Sequence, residues 1–244
     1  MTSRAHTIPR VGEVLDLNKV PVQNSSEAVY AVDSEGRRWV RKRVSEMGHE
    51  ALLAEALGWL LSRQFSVPTP PAAVSGRGEG ASWLSGALPL VKHWSEAERD
   101  RVRNIRAIGR VLTLDAVLLN GDRHAGNILL APQRRGGGMT AWAIDFDHAL
   151  VGWPGDYAAA SVDALPSLRN LARGLPVASM RPGARQAARE ARLLDRAILA
   201  GYVAEACEIA EEPRKDALVS ALQARLDRAI ELTDRYLASI EALP

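Results

Sequence analysis

Asp122 and Asn127 stand in the segment Asn120-Gly121-Asp122-Arg123-His124-Ala125-Gly126-Asn127, and Ala143-Ile144-Asp145-Phe146-Asp147 follows. Between them lie an apolar run, Ile128-Leu129-Leu130, a reversal at Gly136-Gly137-Gly138, and a second apolar run leading into Asp145. A hairpin of this kind gathers three polar side chains at one end. Phosphoryl transfer from a nucleotide asks for such a set: a carboxylate to orient the attacking hydroxyl, and an amide with a second carboxylate to hold Mg²⁺ on the phosphates. Asp122 takes the first role, Asn127 and Asp145 the second. A carboxylate behind an apolar strand is costly to bury alone, and a metal is its simplest compensation. His124 is either a contact to the γ-phosphate or a hydrogen-bonding element of its loop. Asp147 either assists the metal or caps the next segment.

These residues need a partner structure to hold the nucleotide. Ala28 to Val32 alternates, reverses at Asp33-Ser34-Glu35-Gly36 and resumes from Arg37 to Val44, which predicts a β-hairpin. Val40, Lys42 and Val44 then share one sheet face, and a lysine between two valines invites an acidic partner. The apolar positions Leu52, Leu53, Ala56, Leu57, Leu60 and Leu61 predict an amphipathic helix over residues 49–63. Glu50 lies roughly 70° from the centre of that stripe and Glu55 roughly 150° away. Glu50 is therefore expected to pair with Lys42 while Lys42 bridges the nucleotide phosphates, and Glu55 to face water. Gln23-Asn24-Ser25-Ser26-Glu27 precedes the first strand where a phosphate-covering loop belongs, so Ser25, Ser26 and their backbone N–H groups are candidate phosphate ligands.

The chain of 244 residues, 47% of them hydrophobic, is long enough for one domain or two small lobes. Its net charge of +2 makes no case for general nucleic-acid binding. A single cysteine, Cys207, excludes an internal disulfide and suits a reducing, cytoplasmic setting. No apolar run approaches the roughly 20 residues of a membrane span. Gly76-Arg77-Gly78-Glu79-Gly80 follows a proline cluster and lacks a Gly-Lys-Ser/Thr ending, so it is no P-loop. Ser95-Glu96-Ala97-Glu98 has the form of a capping box, predicting a long helix with Ile105, Ile108, Leu112, Ala116 and Leu119 buried that runs into Asn120. Beyond the turn-rich stretch 151–156 the chain reads as helical to its end, with Pro213 in the first turn of a last helix. The expected organisation is an N-terminal extension over 1–20, a β-rich lobe over 21–92, and a helical lobe over 93–244 that carries the catalytic loop.

With its parts in this order the chain resembles the protein-kinase-like superfamily, most closely the short HipA-like kinases, and its Gly121–Leu129 segment is similar to phosphoinositide kinases. The interval from Asp122 to Asn127 equals that between the kinase catalytic-loop aspartate and its metal-binding asparagine. The resemblance covers residues from about 20 to 155. It implies an α+β, two-lobed fold with a small β-rich N-lobe and a mostly helical C-lobe, and ATP between them. It also implies Asp122 as catalytic aspartate, Asn127 and Asp145 as Mg²⁺ ligands, and Lys42 as the phosphate lysine. The catalytic loop also looks like that of aminoglycoside and choline phosphotransferases, and Gly152-Trp153-Pro154-Gly155-Asp156 is similar to a turn those enzymes carry. Asn120 stands where they usually have histidine, and Arg123-His124 favours the HipA-like group. Asp147 replaces the glycine that follows Asp-Phe in ordinary protein kinases, and no Ala-Pro-Glu element is present. The length, short for a full toxin kinase, leaves room for a separate partner protein.

The leading expectation is thus an ATP- and Mg²⁺-dependent kinase acting on a protein Ser/Thr hydroxyl. The runner-up phosphorylates a small molecule, an antibiotic or a metabolite alcohol. A pseudokinase or nucleotide-binding module is the non-enzyme alternative, against which stands the joint presence of Lys42, Asp122, Asn127 and Asp145.

Overall fold

The runs Val29-Tyr30-Ala31-Val32 and Arg38-Trp39-Val40-Arg41-Lys42-Arg43, on the two sides of the Asp33–Gly36 reversal, build the hairpin that the sequence predicts. In the computed structural model, which describes residues 6–20, 28–133 and 136–243 with the side chains of 172 and 173 excepted, its strands are β3, Val29–Asp33, and β4, Arg38–Arg43. Two strands precede them in the chain, β1 (Arg10–Val11) and β2 (Val14–Lys19). Asp33 closes the turn by accepting from the backbone N–H groups of Glu35 and Arg37 at 3.0 and 2.9 Å. Trp39 Nε1 donates to the same carboxylate at 3.0 Å.

After β4 come the short helix α1, Val44–Met47, the long helix α2, His49–Gln64, and strands β5, Ala72–Ser75, and β6, Ser82–Gly86. The sheet order is β1-β5-β6-β4-β3-β2, antiparallel except where β1 runs parallel to β5. Lys42 is level with Trp83, and Val40 with Ser85. The stretch expected to be an N-terminal extension therefore supplies both edge strands of the sheet. Its apolar pattern is too short and too interrupted to announce them. The expected phosphate loop, with Ser25 and Ser26, lies outside the described residues.

Helix α2 joins the sheet to the remainder of the molecule. It packs on β6 on one side, and on α4 (Val111–Leu118) and α7 (Arg196–Ala210) on others. Leu52, Leu53, Leu57, Leu60 and Leu61 are essentially inaccessible. Full burial of each such side chain contributes about 1.5–3 kcal/mol. Ala54, Glu55, Gly58 and Ser62 are buried as well, so α2 has hardly any solvent face beyond its first turn.

The predicted long helix after residue 95 is instead broken into three pieces. A 3₁₀ stretch covers Glu96–Arg101, α3 covers Ile105–Ile108, and α4 follows. Ser95 makes no side-chain cap. Gly109 stands between α3 and α4 where α6, Val177–Ala191, crosses closely: a Cβ on Gly109 would lie 2.2 Å from the Met180 carbonyl oxygen. The hairpin of β8 (Ile128–Pro132) and β9 (Met139–Ala143) matches the two apolar runs, with β7 (Lys92–His93) added at the edge of β8. The rest is helical, through α5 (Ser167–Gly174), α6, α7, α8 (Lys215–Asp227) and α9 (Ala229–Glu241). The single last helix expected from the sequence is two, parted at Arg228, and Pro213 lies before the first of them. Among the described residues no helix is long and apolar enough to cross a membrane.

Candidate active site

The chain enters the site from the buried end of α4, whose run Val111-Leu112-Thr113-Leu114-Asp115-Ala116-Val117-Leu118 contains one carboxylate. Asp115 is completely buried, and Arg123, equally buried, donates to it from Nε at 2.9 Å. Arg123 Nη1 also donates to the carbonyl oxygens of Asn127 and Ile144, at 3.2 and 2.6 Å, and the guanidinium lies 4.9 Å from the Phe146 ring centroid. One side chain thus ties the loop at 120–127 to the strand end that bears Asp145. Breaking a buried pair of this kind by removing one partner typically costs about 3–5 kcal/mol. In the sequence Arg123 stands out only as a member of the loop motif, and Asp115 not at all. The signal was an aspartate inside an otherwise apolar helix, which demands a buried partner.

Asn120 continues the scaffold. Its amide donates to Asp115 Oδ1 at 3.1 Å, and its Oδ1 accepts from the Asp122 N–H at 3.1 Å. Asn127 is buried and donates from Nδ2 to the Asp122 carbonyl at 2.9 Å, which leaves its Oδ1 available for a cation. The Asp122 carboxylate stays 44% exposed, open to an incoming hydroxyl. His124 caps the turn: its Nδ1 accepts from the Gly126 N–H at 2.9 Å. The proton is then on Nε2, which lies 3.7 Å from Asp122 Oδ2.

Opposite this loop, three carboxylates converge on Lys42. Its Nζ lies 2.8 Å from Glu55 Oε1, 2.6 Å from Asp145 Oδ1 and 2.9 Å from Asp147 Oδ2. The other Glu55 oxygen accepts from the Phe146 N–H at 3.2 Å. The expected Lys42–Glu50 pair is therefore wrong. Glu50 is exposed at the start of α2, near Arg214, and Glu55 points inward. A helix with one apolar stripe and water behind it would turn Glu50 inward; α2 is covered on both sides, and its second face needs a partnered charge.

The electrostatics follow from burial against charge. Burial pulls the Lys42 ammonium down, but Glu55, Asp145 and Asp147 more than offset it and hold it well above its ordinary value. Burial raises Asp145, yet Lys42 above all keeps it below the usual carboxylate range. Asp147 goes the other way: burial, reinforced by the charges of Asp145 and Glu55 and opposed by Lys42, pushes it up to about 7. Asp145 also has a φ of 68°, in the left-handed region that residues other than glycine enter at a cost of roughly 1–3 kcal/mol.

Carboxylate oxygens from Glu55, Asp145 and Asp147 lie within 4.8 Å of one another. These, with the Asn127 carboxamide, are the hard oxygen donors that Mg²⁺ takes. Of these, Glu55 and Asp145 border a cavity of about 310 Å³ between the six-stranded sheet and β8–β9, within the range of small-molecule sites. Its walls are mainly apolar, with Tyr30, Val40, Trp83, Leu88, Leu129 and Ile144 among them, and Lys42 and Asp145 at its polar end. Thr69 also borders it and has a buried hydroxyl with no hydrogen-bond partner among the described residues, available to an occupant.

No protein-family model and no curated protein sequence matches the chain. Solved structures do. A proinflammatory kinase of Helicobacter pylori, CtkA, superposes with a TM-score of 0.56 at 10% identity, over 98% of this chain and 100% of that one. HipA of Shewanella oneidensis, solved with HipB and operator DNA, gives 0.48 at 11% identity over 92% of this chain and 66% of that one. Rio2 kinase of Chaetomium thermophilum, solved as an ADP/Mg²⁺–phosphoaspartate complex, gives 0.38 at 13% identity, over 93% and 71%. The first of these carries the fold: the chain has a two-lobed, protein-kinase-like α+β fold, with a small β-rich N-lobe and a mostly helical C-lobe.

Proposed function

We propose that the chain is an ATP- and Mg²⁺-dependent phosphotransferase with a hydroxyl acceptor, a protein Ser/Thr side chain in the first instance. The observation that carries the reading is the joint placement of Lys42, Glu55 and Asp145 at the polar end of an apolar cavity. The kinase-like fold, and the description of its superposed neighbour as a kinase, agree with it.

In this reading the apolar walls take the nucleobase and Lys42 meets the phosphates. Glu55 orients the lysine through one oxygen and anchors the Asp145–Asp147 backbone through the other. Asn127 and Asp145 would hold Mg²⁺, which when bound neutralises charge on the phosphates. Asp122 orients the acceptor hydroxyl and accepts its proton as the oxygen attacks the terminal phosphorus, and the bond from that phosphorus to the bridging oxygen breaks to release ADP. His124 holds the Asp122 loop in shape. The open side of Asp122 leaves room for a hydroxyl carried on a large molecule, which favours a protein acceptor over an enclosed metabolite.

Incubation of the purified protein with Mg²⁺ and γ-labelled ATP, beside Asp122→Asn, tests the proposal. Label on the wild-type chain or an added protein, absent with the variant, is the expected result. Turnover only with small alcohols would favour the metabolite reading. Tight nucleotide binding with no transfer to protein, small alcohol or water would leave a nucleotide-binding module.

A further inference from the structure

An ammonium group has three N–H donors, and in Lys42 all three are taken. Glu55, Asp145 and Asp147 hold them at 2.8, 2.6 and 2.9 Å, and the Lys42 side chain is only 12% exposed. A lysine so saturated cannot also meet nucleotide phosphates, so one carboxylate must let go first.

The three are not equally free to do so. Glu55 is fixed by its second bond to the Phe146 N–H and by a helix buried on nearly every side. Asp145 is held at its strained φ and stands at the polar end of the cavity. Asp147 lies outside the residues that line the cavity; besides Lys42 its carboxyl meets the neighbouring Asp145 carboxylate, which repels it when both are charged, and its Oδ1 lies 3.8 Å from the exposed His148. It is also the residue that departs from glycine after Asp-Phe.

We infer that Asp147 is a placeholder for the nucleotide phosphates: it occupies Lys42 in the nucleotide-free chain and releases it when Mg²⁺ and nucleotide enter together, turning to the cation. The inference rests on the proposed role of Lys42 as phosphate ligand. It makes nucleotide binding conditional on the metal, because nucleotide alone must compete with a resident carboxylate, whereas the cation draws that carboxylate away. Binding of free nucleotide and of its Mg²⁺ complex are thereby set apart by one side chain.

The test is a double-mutant cycle read by binding of a fluorescent ADP analogue, with and without Mg²⁺, in wild type, Asp147→Asn, Lys42→Met and the double variant. Thermal denaturation checks that each is folded. Asp147→Asn is expected to tighten metal-free binding by roughly five- to tenfold, the lower end of ordinary coupling between sites, and to shrink the gain brought by Mg²⁺. In the Lys42→Met background the tightening should vanish. If it persists there, Asp147 acts as bulk negative charge and the placeholder role is wrong. Equal effects of Asp147→Asn with and without Mg²⁺, in either direction, also overturn it.

Should Asp147→Asn fail to fold, a crystal structure of the wild-type chain with Mg²⁺ and ADP decides: Lys42 and Asp147 must have separated, and a persisting 2.9 Å contact refutes the inference. A different failure, in which Lys42→Met leaves nucleotide affinity unchanged, would sink the role of Lys42 itself rather than that of Asp147.

Discussion

Gly58 lies against Phe146 so closely that a Cβ built on the glycine would be 2.3 Å from the ring's Cγ. The contact joins the middle of α2 to the residue between Asp145 and Asp147. It sets how near the helix carrying Glu55 can come to the strand end carrying the other two carboxylates. A glycine within a helix costs stability relative to alanine, so its presence here reflects the approach it allows.

Gly58→Ala should therefore destabilise the chain even though alanine is the better helix former. Overpacking of this kind costs about 1–3 kcal/mol. The Phe146 ring must move, and Asp145 and Asp147 with it. Chemical denaturation should show the lower midpoint, and nucleotide binding should weaken by more than Gly201→Ala produces, since Gly201 has open space around it. Equal stability of Gly58→Ala and wild type would refute the packing argument.

Glu55 and Glu50 make a paired comparison. Glu55→Gln removes the charge facing Lys42 while keeping the side chain's shape, and phosphate transfer should fall by about tenfold or more as the lysine loses its fixed position. Glu50→Gln, at an exposed first-turn position, should change the rate and the melting temperature little. Steady-state kinetics of the two variants side by side would show the assignment reversed if Glu50→Gln were the damaging one.

The contrast shows what the sequence carried and what it could not. The β3–β4 hairpin was legible as a local alternation closed by turn residues and the β8–β9 hairpin as two apolar runs around a glycine-rich reversal, and a strand's two faces follow from its period. Lys42 was legible for the same reason. The partner of Lys42 was not, because helical phase says which residues share a face but not how many faces are covered. With α7 and α4 behind α2, Glu55 became interior. The need for a glycine at 109 was likewise written in α6, about 70 residues further on, whose backbone occupies the space a side chain would need. The Asp115–Arg123 pair left a trace, a carboxylate amid valines and leucines, that only a search for buried charge would pick up.

Asp33 gives a pH dependence remote from the cleft. Burial would raise its carboxyl, but hydrogen bonds from the Arg37 and Trp39 side chains and from the backbone N–H groups of Arg37 and Glu35 outweigh that and bring it down to about 2. A group whose folded value is depressed stabilises the fold above its unfolded value, about 3.9 for aspartate, and loses that contribution as pH falls toward the folded value. Asp33→Asn should accordingly be clearly less stable than wild type near neutral pH, with the difference shrinking between about pH 4 and 2. Urea titrations across that window check it, and a difference that stays constant down to pH 2 would contradict the linkage.

Asp122 and Asp145 should separate chemistry from binding. Asp122 touches the loop through its backbone while its carboxylate faces solvent, so Asp122→Asn should leave fold and nucleotide affinity intact and reduce transfer by roughly 10²–10⁴-fold, the usual contribution of a positioned base. Asp145 pairs with Lys42 and stands among the oxygen donors, so Asp145→Asn should weaken nucleotide binding in Mg²⁺ far more than in EDTA. Calorimetric titration of both variants in the two buffers, beside transfer rates, yields the full pattern. Transfer by Asp122→Asn at the wild-type rate would remove it from the reaction, and nucleotide affinity indifferent to Mg²⁺ in the wild type would remove the metal role of Asn127 and Asp145 together.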